Sequence, residues 1–479
     1  MRTSIPNEMI LLTTRFYIVS AVFLFIWSQT TCNLAARTPN IVIIFVDDMG
    51  YGDMSGNGHP TIRTPNLDRI AYEGQKWSNF YSAASVCTPS RAGLLTGRYP
   101  IRNGMCSAVH QVLFPESTGG LPDSEITIAD LLNAAGYSTA MVGKWHLGHL
   151  PEFLPIKHGF DEWFGIPYSN DMDLDRPTVT ALNGGILGLW HRGKHWDEPM
   201  SEYWEVPLMQ GDKIIKRSPD QSLLTKMYTE RSIDFIKKNA DKPFFLYLAH
   251  SMPHVPLFRS ENFVGTSTAG IYGDVIEEID WSVGQIIKAL DLLEISEHTL
   301  VVFTSDNGPW LQFKTQGGSA GLLRGGKGTT WEGGMRVPAI FWWPESIEPK
   351  IVHGIGSTID LMATICSLAN IDLPTKIEDS LDLSNTLLLG QESPRNEMIY
   401  YRRQTIEAIR LGAFKGHFDN EDFDKGEIKL KAIYNLDMDP AEAFNLRERY
   451  PEIAEALCSK YQEHKSSVIP AVDQLARRK

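Results

Sequence analysis

At 479 residues, 43% of them hydrophobic and 12 of them Trp, the chain carries enough apolar side chain for a large core in one or two domains, which excludes a disordered protein. A formal charge of −13 excludes nucleic acid and an anionic membrane as partners attracted by the overall field. Any anionic ligand must therefore be held by a local basic cluster.

Residues 1–36 read as a signal peptide. Arg2 and Arg15 precede an apolar run from Phe16 to Trp27, and Ser28, Thr30, Thr31, Ala35 and Ala36 supply small residues for cleavage. The run is short for a bilayer, and an anchor reaching back to Met9 would bury Arg15. The expected destination is the secretory pathway, lysosomal or extracellular. No Asn-X-Ser/Thr acceptor occurs, which argues against glycan-dependent routing.

Ile41 to Val46 is continuously apolar and largely β-branched, as a strand buried on both faces would be, and it ends in Asp47-Asp48. Leu300 to Thr304 repeats that grammar and ends in Ser305-Asp306-Asn307-Gly308. One such ending is ordinary turn chemistry. Two suggest adjacent strand ends, where ligands of open α/β sheets collect. Asp47, Asp48, Asp306 and Asn307 would then form an all-oxygen, strongly negative set suited to Ca²⁺ or Mg²⁺ rather than zinc.

Between these strands, Cys87-Thr88-Pro89-Ser90-Arg91 reads as a helix start, with Thr88 or a neighbour as cap and Pro89 in the first turn, running on to Gly97. Cys87 would face free backbone N–H groups, with Arg91 one turn on, so the pair makes an anion site around a reactive residue. A lone cysteine is ordinarily a small buried hydrophobe.

Ile126 to Gly136 has helical periodicity and precedes a strand, Tyr137 to Trp145. Lys144 and His146, two apart on extended chain, would project to one side. Gly159 to Asp171 reads as a turn-rich loop, and 172–222 as irregular, with Gly184, Gly185, Pro199 and Pro207. A helix from Leu223 to Asn239 leads to the strand Phe244 to Leu248 and then to His250 and His254, between which position alone does not choose. The helix Val275 to Leu293 carries Glu277, Glu278 and Asp280, expected on its solvated face. Gly325 to Pro338 is glycine-rich around Lys327 but lacks phosphate-loop spacing. A strand at 340–343 and a helix at 357–368 follow. Beyond Pro374, short strand-like pieces at 398–401, 408–411 and 432–436 and a helix from 451 to 463 suggest a small antiparallel sheet with a packed helix. Of five cysteines, Cys32 leaves with or borders the signal, and with Cys87 set aside at its anion site at most one disulfide can join Cys106, Cys366 and Cys458.

Cys87-Thr88-Pro89-Ser90-Arg91 followed by Leu94-Leu95-Thr96-Gly97-Arg98 resembles the sulfatase signature. Gly136-Tyr137-Ser138-Thr139 through Gly143-Lys144-Trp145-His146 resembles its second signature. Ile166-Pro167-Tyr168-Ser169, His254 before Val255-Pro256, and Lys327 in its glycine-rich loop extend the likeness over roughly residues 39 to 450. The resemblance is to formylglycine-dependent sulfatases of the arylsulfatase A and N-acetylgalactosamine-6-sulfatase type. It implies an alkaline-phosphatase-like α/β fold, a large mixed and mostly parallel sheet between helices, with a smaller C-terminal antiparallel sheet plus helix. The domains would be a catalytic one at 37–374 and a C-terminal subdomain at 375–479.

The same resemblance implies that a formylglycine-generating enzyme oxidises Cys87 to Cα-formylglycine. One hydroxyl of the hydrated aldehyde would attack sulfur and the other would expel sulfate, a second half that serine could not perform. Asp47, Asp48, Asp306, Asn307 and the residue-87 oxygen would hold one Ca²⁺. Arg91, Lys144 and Lys327 would surround the sulfate, Ser169 would line its pocket, His146 would drive release, and His254 would protonate the leaving alcohol. A sulfated small molecule or glycan is the implied partner, and a homo-oligomer is compatible with it. The rivals are a phosphodiesterase or phosphonate monoester hydrolase on the same scaffold, and a secreted anion-binding homologue without turnover.

Overall fold

Two apolar stripes on each central strand organise the molecule. In β1 (Asn40–Val46), Val42, Ile44 and Val46 enter one core while Ile41, Ile43 and Phe45 enter another, which is why the strand is apolar at every position. The computed structural model of the chain describes residues 38–183, 194–419 and 429–478. The signal segment at 1–36, with Cys32, and Gly184 and Gly185 lie outside the described residues.

β1 is joined by β2 (Gln75–Tyr81), β3 (Ser138–Lys144), β4 (Glu162–Ile166), β5 (Pro207–Gln210), β6 (Lys213–Arg217), β7 (Phe244–Ala249), β8 (Thr299–Ser305), β9 (Ala339–Trp342) and β10 (Lys350–Ser357). The ten-stranded order is β10-β2-β9-β8-β1-β7-β3-β4-β5-β6. The run β8-β1-β7-β3-β4 is parallel, as is β10 with β2, while β9 and the edge hairpin β5-β6 are antiparallel.

The principal helices are α1 (Pro65–Glu73), α2 (Cys87–Thr96), α3 (Ile128–Ala134), α4 (Leu224–Lys238), α5 (Gly270–Leu292), α6 (Leu361–Leu368) and α7 (Pro451–Ser467). α1, α4 and α5 cover the Val42 face of the sheet; α2, α3 and α6 cover the Ile43 face. A second sheet, β11 (Glu397–Arg402), β12 (Thr405–Leu411), β13 (Phe414–Asp419) and β14 (Lys429–Asn435), is antiparallel in sequence order and packs against α7. Both sheets belong to one compact unit, Pro39–Lys479. They meet at a buried ion network in which Lys415 lies 2.9 Å from Glu332 and 3.1 Å from Glu442.

Several expectations change. The loop expected at 159–171 contains β4, paired with β3 over Ala140–Lys144, and the irregular 172–222 stretch contains the β5-β6 hairpin and a helix, Arg176–Asn183. Glu278 and Asp280 are buried rather than solvated. Asp280 accepts from the Asn66 and Leu67 amides at 3.2 and 2.8 Å, satisfying the free N–H groups that open α1, and Glu278 accepts from the Ser260 amide at 2.9 Å. The bound of at most one disulfide is unaltered: Cys87, Cys106, Cys366 and Cys458 are all free.

Candidate active site

Register brings the two acidic strand ends together. β1 and β8 are parallel with Val46 opposite Ser305, so Asp47-Asp48 and Asp306-Asn307 leave the sheet side by side. β7 and β3 end at the same edge, with Gly143 opposite Ala249. Lys144 and the 250–254 loop carrying His254 therefore emerge beside the acids. α2 starts there too, with Cys87 as its first residue.

Its cap differs from expectation. Val86 is the N-cap and its apolar side chain bonds no backbone N–H, while Thr88, the second residue of the helix, donates its hydroxyl to the His146 carbonyl at 3.0 Å. Gly97 closes the helix in the left-handed region at φ 65°, as the sequence pattern predicts. His146 also departs from expectation. β3 ends at Lys144, and His146 turns away at φ 59°, so the two are not placed by strand alternation. The His146 ring meets the Leu113 carbonyl through Nε2 at 2.9 Å, while its buried Nδ1 has no partner.

The centre is a buried alternation of charges. Asp47 contacts Lys144 Nζ, lies 3.4 Å from Arg91 Nη2, and accepts from Cys87 Sγ at 3.3 Å. Arg91 clamps Asp306 with Nε and Nη2 at 3.2 and 2.8 Å and ties Nη1 to the Lys144 carbonyl at 3.0 Å. Lys327 reaches the Asp48 carboxylate at 2.7 Å, and Asn307 Nδ2 bonds it at 2.7 Å. Lys144 also donates to Ser169 Oγ at 2.7 Å, and Ser169 lies 3.4 Å from His254 Nε2.

Burial would raise the Asp47 carboxyl, but Lys144, His254, Arg91 and Lys327 together hold it well below the usual range. Asp306 goes the other way. Burial and then the Asp47 charge push it up to about 7, although Arg91 opposes them. Burial, with Asp47 next, pushes the Cys87 thiol well up. An unmodified cysteine here is thus a poor thiolate nucleophile, and its hydrogen bond is to a carboxylate, Asp47. Burial, followed by the Lys327 charge, holds His254 neutral.

Ligand atoms of Asp47, Asp48, Cys87 and Asp306 all lie within 4.8 Å of one another. Asn307 Oδ1 is buried with no hydrogen-bond partner. Three crowded carboxylates and an orphaned amide oxygen suit a hard divalent cation, so the residues present fit Ca²⁺.

Sequence reasoning missed Trp310, whose ring lies 5.3 Å from that of His254 and 4.4 Å from Lys327 Nζ. Its place three residues after Asn307 was the available signal. Asp171, also missed, is pushed by burial to about 6, against the charges of Lys144 and Lys327. His250 stays outside the centre, facing Ser282 at 3.2 Å.

The arrangement gathers three carboxylates, three cationic side chains and the first residue of a helix at one edge of the sheet. The sulfatase family model matches residues 39–371, and that of the C-terminal region of aryl-sulfatase matches 393–479. The chain belongs to the sulfatase family. This sulfatase is 41% identical over 480 residues to N-acetylgalactosamine-6-sulfatase of Mus musculus, covering 92% of this chain and 89% of that one. It is 40% identical over 455 residues to arylsulfatase A of Homo sapiens, covering 88% and 87%. The solved PsFucS1 sulfatase from Pseudoalteromonas sp. superposes with a TM-score of 0.77 at 28% identity, covering 90% of each chain. The sulfatase is accordingly a sulfuric ester hydrolase of alkaline-phosphatase-like architecture, and the phosphodiesterase reading is not favoured.

Proposed function

We propose that this sulfatase hydrolyses aryl or carbohydrate sulfate esters, with Cys87 matured to Cα-formylglycine by a formylglycine-generating enzyme and one Ca²⁺ held by Asp47, Asp48, Asp306 and Asn307. The observation that carries the reading is the convergence of three buried carboxylates on the first residue of α2, with Asn307 bonded to one of them and its own amide oxygen unpaired. Likeness to both N-acetylgalactosamine-6-sulfatase and arylsulfatase A supports the substrate class. When present, the cation supplies positive charge to sulfate oxygens and the hydrated aldehyde supplies paired hydroxyls.

The chain's own residues do the rest. Lys144 and Lys327, each on a site carboxylate, add positive charge where sulfate oxygens would lie, and Arg91 fixes Asp306 and Asp47 in place. Ser169, between Lys144 and His254, orients the bound anion. His254 gains a proton once the anionic ester lies beside it, and passes it to the departing alcohol oxygen. His146 keeps Nε2 on the Leu113 carbonyl, leaving Nδ1 as the base atom for sulfate release.

We read residues 37–374 as the catalytic domain and 375–479 as a subdomain that buttresses the Lys327 loop through Glu332. Export through the secretory pathway, to a lysosomal or extracellular site, accords with the apolar run after Arg15. No helix among the described residues is long and apolar enough to cross a membrane.

Mass spectrometry of the tryptic peptide containing residue 87 tests the maturation; unmodified cysteine in active enzyme refutes it. Turnover of a sulfate and a phosphate ester of one phenol tests the reaction, and preference for phosphate refutes it. Cys87→Ser should release at most one equivalent of phenol, whereas sustained turnover would contradict the paired-hydroxyl scheme.

A further inference from the structure

The buried charge centre opens on one side, and we infer that Trp310, at that opening, receives the ring whose hydroxyl carries the sulfate and so selects cyclic leaving groups. The inference rests on the sulfate-ester reading above. Asp47, Arg91 and Lys144 have no exposed side-chain surface, and Asp48 and His254 keep only 3 and 4% of theirs. Cys87, His146, Ser169, Asp306 and Asn307 are buried too. Lys327 keeps 9%, Trp310 is half-buried, and the adjoining Leu311 is 43% exposed. An ester whose sulfate lies among the buried cations must therefore lead its remaining atoms out past Lys327 and Trp310.

Backbone ties hold Trp310 in this place. It stands three residues after Asn307, and the Lys327 amide donates to the Pro309 carbonyl at 2.9 Å, which stitches the segment before Trp310 to the glycine-rich loop. Lys327 Nζ lies over the indole at 4.4 Å while reaching the Asp48 carboxylate at 2.7 Å, and His254 Nε2 lies 3.7 Å from that same carboxylate. The indole is 5.3 Å from the His254 ring. One aromatic side chain thus borders both the lysine beside the bound sulfate and the imidazole that would protonate the departing oxygen. The framework carrying that oxygen is brought against it.

Phe313 meets the indole edge to face at 4.7 Å and itself meets Trp196 at 5.0 Å, so Trp310 belongs to a packed aromatic group rather than standing loose on the rim. Aromatic side chains gain from contact with a second ring beyond the area they bury. Small-molecule sites pair such apolar walls with a few placed polar groups, here His254 and Lys327. A short acyclic group on the sulfate would leave this wall uncovered. A ring, aryl or sugar, covers it.

Competitive inhibition of 4-nitrophenyl sulfate turnover by benzenesulfonate and by methanesulfonate tests this, because both carry the same singly charged head and neither has a leaving oxygen for His254 to protonate. Wild-type enzyme should bind benzenesulfonate about tenfold more tightly, the size of one good aromatic contact. In Trp310→Ala that ratio of inhibition constants should fall to near one, whereas Trp310→Phe should keep most of it. A variant that merely displaced Lys327 would weaken both sulfonates alike and preserve the ratio. Each ratio comes from one preparation, so an inactive fraction cancels. Equal constants in the wild type, inhibition by neither sulfonate, or an unchanged ratio in Trp310→Ala overturns the inference while leaving the sulfatase reading intact. Failure of the wild-type enzyme to cleave any sulfate ester overturns that reading and the inference with it.

Discussion

His254 shows how a residue can be ready for one step only. Its Nδ1 is anchored to the Val255 carbonyl at 2.5 Å and its ring stands against Trp310, so Nε2 is left to face Ser169. Replacing it with Ala should cost about 10²- to 10⁴-fold in kcat for sugar or alkyl sulfates and far less for nitrophenyl sulfate, whose leaving oxygen needs no proton. A plot of log kcat against leaving-group pKa reads this directly, and an equal loss across the series would remove the acid role. Trp310 buttresses both His254 and Lys327, a job invisible in a sequence where it is one more aromatic after a turn.

Strands and helices set these residues at the right distance by means that are partly backbone. Gly143, the last residue before Lys144, sits at φ 114°, and a Cβ there would stand 1.8 Å from the Ala249 carbonyl. Gly143→Ala should therefore destabilise the protein by about 2–3 kcal/mol and displace Lys144. Thermal melting and KM for an aryl sulfate check the two effects separately.

Asp280 on α5 is an element-scale device of another kind. Burial raises its carboxyl to about 6 even though three N–H groups of Asn66 and Leu67 bond it. Its folded value lies above the unfolded one, so its protonated form is favoured by folding. This contribution is fully present below about pH 4 and is lost as pH rises through about 6, by up to about 3 kcal/mol. Asp280→Asn should flatten that part of the melting-temperature profile; an unaltered slope would count against it.

At the scale of the whole molecule, two couplings matter. Lys415 of β13 is buried between Glu332, on the segment that follows Lys327, and Glu442, beyond β14. Lys415→Met would leave two buried carboxylates without their shared cation and should cost about 3–5 kcal/mol, measured by denaturant unfolding. The second coupling is between cation and fold. A metal bound only by the native state stabilises it by mass action, about 2.7 kcal/mol at a hundredfold excess over Kd. Chelator treatment should thus lower activity more than tenfold and melting by several degrees, both restored by Ca²⁺. Unchanged melting would contradict the Asp47, Asp48, Asp306 and Asn307 assignment.

Local order was legible along the chain. Continuous β-branched runs announced strands buried on both faces, and acid endings on two of them announced a shared acidic corner, because each signal is written within a few consecutive residues. The Cys87 helix and its Gly97 stop were readable for the same reason, whereas β4 was lost in a glycine-flanked stretch whose strand identity depends on pairing with β3. Tertiary structure alone decided what requires partners remote in sequence. Asp280 looks solvated until α1 arrives to be capped. Thr88 looks like a cap until the His146 carbonyl takes its hydroxyl. His146 looks like a strand neighbour of Lys144 until the chain turns left-handed. A side chain's hydrogen-bond partner and its exposure are properties of the packed pair of segments, and no single segment contains them.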